Sequence, residues 1–287
     1  MGIVNINDDS FSGDGTLDVE RAINRARALI NAGADIVDVG GESARTNRAE
    51  ISVDEEIARV APFISRFAEC HWGATPVDEE QIFPALLSIN TWRPPVARAL
   101  LRLGGEILND MGALPDTENA ATAAEFRSAL VIMHSVGRPK IPHLHVQYED
   151  IMDTLHNFFE QKITHATNAG MPRDALILDP GIDFAKQRTD NLKIYRDLSR
   201  LTSFGRPILL PVSRKTVIGQ VLNLSDPRDR DAGTIACLVS GVLSGATLFR
   251  VHNVRAASLA VRTIWPVINA ASDRRALPAD GWRGAAL

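Results

Sequence analysis

Eight short apolar runs recur along this chain, at residues 2–6, 36–39, 86–91, 107–110, 130–134, 176–179, 208–215 and 247–252, and each closes on polar residues. The repeat averages about 36 residues, the chain's 287 divided by eight. A run apolar on both faces suits a strand of a parallel sheet, which is buried on both sides. Helical periodicity fills most of the intervals, at 17–31, 52–67, 94–103, 117–128, 150–169, 191–201, 231–243 and 256–271. Strand then helix, eight times over, predicts an α/β protein of the (β/α)8 TIM-barrel class, for which about 250 residues are typical. No Pro/Gly/Ser-rich linker divides the chain, so a single barrel domain is expected over 1–272, with 273–287 as a frayed tail.

In such a barrel the site lies at the C-terminal ends of the strands. The polar residues that close the runs therefore converge on one pocket. The formal net charge of −4 gives no reason to expect nucleic acid or an anionic membrane as partner. Cys70 and Cys237 are too few for a disulfide framework or a zinc site. The stretch 232–249 carries no charge, but Thr234, Ser240, Ser244 and the break at Gly245 fit a buried helix and a strand better than a membrane span. The opening residues show no basic-then-apolar leader pattern, and the cytoplasm is the expected compartment.

Taken singly, the run-ends suggest roles. Asp179 precedes Pro180-Gly181, a turn that leaves its carboxylate at the rim, where it suits the paired N–H donors of an amidine edge. A loop-bracing ion pair or a helix cap stays open for it. In Ser213-Arg214-Lys215, strand alternation puts Ser213 and Lys215 on the inward face and Arg214 outward, in a structural pair. Lys215 is a donor suited to a carbonyl or ring nitrogen. Arg250 and His252 repeat the two-residue spacing and make a candidate phosphate or diphosphate cradle. Asn5 closes the first run, beside the eighth in a closed barrel, and its carbonyl suits a hydrated Mg²⁺ next to a diphosphate. The loop 7–15, with Phe11 near its tip, reads as a mobile lid; Arg45, in the second rim loop, is a further candidate phosphate ligand.

These motifs together resemble the dihydropteroate synthase family of pterin-binding barrels. The resemblance rests on Met1-Gly2-Ile3-Val4-Asn5, Asp9-Ser10-Phe11-Ser12, Val37-Asp38-Val39-Gly40-Gly41-Glu42-Ser43-Ala44-Arg45, Asn109-Asp110, Met133-His134, Leu178-Asp179-Pro180-Gly181, Ser213-Arg214-Lys215 and Arg250-Val251-His252, in order along almost the whole chain. It implies a transferase of folate biosynthesis that condenses 6-hydroxymethyl-7,8-dihydropterin diphosphate with p-aminobenzoate or a related amine. Asn90, Asn109, Asp179 and Lys215 would then hold the pterin. Asn5, Arg45, Arg250 and His252 would hold the diphosphate with Mg²⁺ on Asn5, and Ser213, Ala44, Thr46 and Phe11 would face the acceptor. Lys215, Asp179, Arg250 and His252 would carry the catalysis, and the family implies a homodimer built through the last helices.

Several positions depart from the family pattern. Asn90 stands where the family has Asp, which would remove one negative charge from the pterin pocket. Ala44 and Thr46 replace a hydroxyl and a proline of the second loop, Asp183 and Ala185 replace glycines, Pro211 replaces a glycine and Asp8 a proline. The altered acceptor side fits a sulfonamide-insensitive isozyme. Two other readings stand beside the synthase: a non-synthase pterin-binding paralogue, supported by Asn90, and a methyltetrahydrofolate–corrinoid methyltransferase, which the anion-binding set argues against.

Overall fold

The structure, a computed structural model, describes residues 1–7, 15–43, 49–141, 143 and 145–269. Six strands pair in parallel and in chain order: β1 (Gly2–Asn5), β2 (Ile36–Gly40), β3 (Leu86–Asn90), β4 (Ile107–Asp110), β5 (Ala129–Met133) and β6 (Leu176–Asp179). β7 (Leu209–Leu210) and β8 (Leu248–Phe249) pair with each other. Parallel bridges Leu178↔Ile208 and Gly2↔Val251 join that pair to both edges of the larger sheet. Leu178 N donates to Pro207 O (2.9 Å) and Val251 N to Met1 O (3.0 Å), so the sheet closes on itself as the eightfold repeat predicts. β7 is short because Pro207 and Pro211 flank it, and neither has an N–H for a ladder.

The helices among the described residues are α1 (Val19–Asn31), α2 (Val53–Ser65), α3 (Pro94–Leu101), α4 (Glu118–Phe126), α5 (Ile151–Asn168), α6 (Arg188–Asp197), α7 (Thr216–Leu222), α8 (Asp231–Leu243) and α9 (Val254–Ile268). Their starts are set by local chemistry. Asp18 accepts from Glu20 N (2.9 Å), Asp150 from Met152 N (2.8 Å) and Asn253 from Ala256 N (3.1 Å), each filling an orphan donor of a first turn. α1 buries Ala22, Ile23, Ala26, Leu29 and Ile30, an apolar stripe of helical spacing that packs on the outer face of the strands.

Ser52 Oγ caps α2 through Glu55 N (3.1 Å), and the Glu55 carboxylate turns to Arg59 (2.6 Å). Two expectations need correction. α6 starts at Arg188 and gives way to a 3-10 stretch, Leu198–Phe204, whereas periodicity placed the helix at 191–201. Residues 213–215 are not strand: Arg214 has φ of +56° and forms a turn into α7, a short helix that the sequence pattern does not announce. Arg214 nevertheless makes a structural pair, with Asp231 (2.8 Å). The charge-free stretch is α8 and β8; no helix among the described residues is long and apolar enough to cross a membrane. The tail 273–287 lies outside the described residues.

Candidate active site

Side chains alternate along a strand, so every second residue of each strand builds the barrel interior. At the bottom, Ile36, Ile107, Val131, Ile177 and Leu209 form a buried plug with Met1, Leu86, Ala129 and Leu248. Two residues further on, the same columns read Asp38, Asn109, Met133 and Asp179, and β3 contributes Ser88 and then Asn90. Beyond β8 the column reaches Arg250, and beyond β7 Ser213. The interior thus passes from hydrocarbon to polar groups within one pleat, and a cavity of about 640 Å³ opens above that step. Asn5, Asn90, Asn109, Asp179, Ser213, Lys215, Arg250 and His252, all anticipated from sequence, line this one cavity.

Its floor is organised by Asp38, which is fully buried. The carboxylate accepts from Ser88 Oγ (2.6 Å), Asn90 Nδ2 (3.0 Å), Asn109 Nδ2 (3.1 Å) and Arg250 Nε (2.7 Å). Burial alone would raise its pKa, but the Arg250 guanidinium and the hydrogen bonds outweigh that and hold it below the usual carboxylate value. The Asp38 carboxylate therefore takes one amide N–H of each asparagine and turns both amides so that their carbonyl oxygens point away from it. The expected loss of charge at Asn90 takes a different form here: a carboxylate lies 3.0 Å behind that amide.

Asp179 accepts from Gly181 N (2.7 Å) across the Pro-Gly turn. Gly181 has φ of +68°, and a Cβ there would lie 1.9 Å from His134 O, so only glycine fits. Burial pushes the Asp179 carboxyl up to about 6, against the pull of that N–H, Lys215 and Lys186. Lys215 donates to Ile182 O (2.9 Å), and its ammonium lies 5.1 Å from the Phe184 ring centroid. Burial lowers its pKa, while Asp183 and Asp179 act the other way. Lys186 joins the loop after β6 to the end of β5, donating to Phe184 O (3.0 Å) and meeting His134 Nδ1 at 2.8 Å. Desolvation brings Lys186 down to about 7; burial, reinforced by Lys186, holds the His134 imidazole down to about 2 and hence neutral.

At the seam between β8 and β1, Ser213 Oγ and His252 Nδ1 are 2.7 Å apart, and His252 N donates to the same hydroxyl (3.1 Å). Asp38 holds Arg250 by Nε, which leaves the two terminal nitrogens for a ligand. Opposite, a buried charge cluster braces the rim. Arg93 pairs with Glu42 and with Glu56 (3.2 Å), and Lys140 with Glu42 (2.8 Å). Lys140 also donates to Ala49 O (2.9 Å), so the loop after β5 holds the stem of the loop after β2. Burial raises Glu56 to about 7 despite Thr91 and Arg93.

Sequence reasoning missed Asp38, Lys186 and the Glu42–Arg93–Glu56–Lys140 cluster as parts of the site. Asp38 carried a signal: a charge inside a doubly buried run has to be paired. Arg45, Ala44, Thr46 and Phe11 lie outside the described residues. Among the described residues there is no group of three or more His, Cys, Asp or Glu side chains that would hold a metal ion.

The family model for pterin binding enzymes matches residues 1–252. The chain is 35% identical over 276 residues to the dihydropteroate synthase of Escherichia coli (strain K12), covering 96% of this chain and 93% of that protein. It superimposes on the Yersinia pestis dihydropteroate synthase solved with a sulfonamide drug complex, with a TM-score of 0.84 and 32% identity, covering 94% and 93% of the two chains. The Xanthomonas albilineans dihydropteroate synthase solved with 4-aminobenzoic acid matches with a TM-score of 0.81 and 34% identity, covering 94% and 92%.

Proposed function

The chain belongs to the pterin-binding enzyme family, and from that premise we propose that it is a dihydropteroate synthase-type transferase of folate biosynthesis. It joins the pterinylmethyl group of 6-hydroxymethyl-7,8-dihydropterin diphosphate to p-aminobenzoate or a related amine and releases diphosphate. The observation that carries this reading is one cavity holding a carboxylate, two fixed amide carbonyls and a lysine on its floor, with Arg250 and His252 above them. Asp179 would accept the two N–H groups of the pterin's amidine edge. The Asn109 and Asn90 carbonyls would take further ring N–H groups, and Lys215 would donate to the ring carbonyl. Arg250 and His252 would meet the diphosphate as its charge grows during C–O cleavage, which is where a transferase gains by electrostatic stabilisation. The electron-rich floor would steady the cationic methylene left behind.

A Mg²⁺ ion fits this arrangement. It retains most of its water and is held largely by phosphate oxygens, so the single neutral oxygen of Asn5 on the cavity wall is a suitable donor. The ion would supply charge neutralisation for the leaving diphosphate. The non-synthase reading drew on Asn90 as a missing charge; Asp38 behind it weakens that reason. The substitutions at Ala44, Thr46, Asp183 and Ala185 favour sulfonamide insensitivity. We take 1–272 as the barrel domain and the cytoplasm as its compartment. Exposed Leu259, Trp265 and Val267 on α9 favour a homodimer through the last helices.

The decisive test is to incubate purified protein with Mg²⁺, the pterin diphosphate and p-aminobenzoate and to follow dihydropteroate by mass spectrometry. Product with stoichiometric diphosphate is expected. Tight pterin binding with neither product nor diphosphate release would sink the synthase reading.

A further inference from the structure

The wall beside Lys215 carries a carboxylate in an unusual position. Asp183 and Ala185 flank Phe184 at φ of +69° and +51°, a left-handed backbone that residues with a Cβ adopt at a cost. Asp183 is held there by four hydrogen bonds. Its N–H donates to Asn191 Oδ1 (2.9 Å) and its carboxylate accepts from Asn191 Nδ2 (3.3 Å), Thr216 N (2.5 Å) and Val217 N (3.2 Å). The carboxylate is therefore fixed against the start of α7 and leaves neither of those amides for a ligand.

Asp183, Phe184, Lys215 and Thr216 all line the cavity. Phe184 is the only phenyl ring among its described lining residues, so it is the natural platform for the flat ring of an aryl amine. Lys215, whose ammonium lies 5.1 Å from the centre of that ring, already donates to Ile182 O. An acceptor stacked on Phe184 with a carboxylate directed toward α7 would meet a fixed carboxylate where it needs donors, and like charges at close range repel strongly in a partly dry site.

We propose that Asp183 sets the acceptor specificity of this pocket by disfavouring aryl amines with an anionic para substituent, so that uncharged aryl amines bind at least as well as p-aminobenzoate. This rests on the transferase reading above and narrows its acceptor class. The reading and the proposal fail separately, because acceptor selectivity is measured here without turnover.

Protein loaded with 6-hydroxymethylpterin, Mg²⁺ and inorganic diphosphate, a non-reactive set, is titrated calorimetrically with 4-aminobenzoate and with 4-aminobenzamide. Wild type should bind the amide at least as tightly as the carboxylate. In Asp183→Asn, carboxylate affinity relative to the amide should rise about tenfold, equivalent to about 1.4 kcal/mol. Asp183→Gly suits the left-handed backbone and should give the same shift, which keeps the test sound if the asparagine variant misfolds. A wild-type preference for the carboxylate, an unchanged ratio in a folded variant, or no binding of either amine would overturn the proposal. Loss of dihydropteroate formation with every amine would instead refute the synthase reading and leave the measured ratio to judge Asp183.

Discussion

Replacing Asp38 by asparagine exchanges one oxygen for an NH₂ group at the centre of the floor, and the structure allows the cost to be worked through. If the new amide keeps its oxygen toward Ser88 and Asn109, its NH₂ faces Asn90 Nδ2 and Arg250 Nε, two donors now 3.0 and 2.7 Å away. If it flips, the Ser88 hydroxyl can turn and accept, but Asn109 Nδ2 at 3.1 Å becomes the opposed donor. Either rotamer leaves a donor facing a donor, and Arg250 loses its counter-charge. Removing one partner of a buried ion pair costs about 3–5 kcal/mol. The Arg250 side chain is 22% exposed and can regain some water, which argues for the lower end, about 3 kcal/mol. That is a large share of the roughly 5–15 kcal/mol that holds a domain together. To relieve the clash an asparagine must turn its amide and present N–H instead of C=O to the pterin. Urea unfolding of Asp38→Asn should therefore show a loss of about 3 kcal/mol, and calorimetry should show pterin diphosphate affinity reduced by at least about tenfold, each opposed donor being worth about a hydrogen bond. A variant within about 1 kcal/mol of wild type that binds the pterin with unaltered affinity would refute this account of the floor.

Two further outcomes follow from the same charges. Pterin binding needs Asp179 ionised, and its carboxyl titrates at about 6, so affinity should fall as pH drops through that value, approaching about tenfold per unit on the acid side; a flat profile between about pH 7 and 5, or one equally steep in Asp179→Asn, would contradict the assignment. Asn90→Asp would place a second carboxylate 3.0 Å from Asp38, and the pair would share one proton with a raised pKa. The bound proton favours the folded state, so the variant should match wild-type stability only below about pH 4, the unfolded aspartate pKa, and lose about 1.4 kcal/mol per unit of raised pKa as pH rises from there to about 8; denaturant midpoints that do not move with pH would refute it.

Much of the barrel was legible because its cause is local. An apolar run followed by a capped amphipathic stretch depends on neighbours in sequence, and Asp18, Asp150 and Asn253 act within three residues of themselves. The run-ends were legible for the same reason, since a polar group that closes an apolar strand has to leave the core. α7 was not, because seven residues after a turn carry too little periodicity to separate from the strand end before them. Asp38 was hidden by a different cause. Inside an apolar run it reads as an interruption, and what makes it the centre of the site lies 50, 52, 71 and 212 residues away, at Ser88, Asn90, Asn109 and Arg250. Those four meet only once the sheet has closed and register has stacked the columns. The same closure alters how Asn90 is to be read. Seen alone it is an aspartate that lost its charge; seen in the ring it is an amide whose orientation a deeper carboxylate dictates. A residue at a strand end can be nominated from sequence, but what it presents to a ligand depends on the residue one strand over and one pleat below.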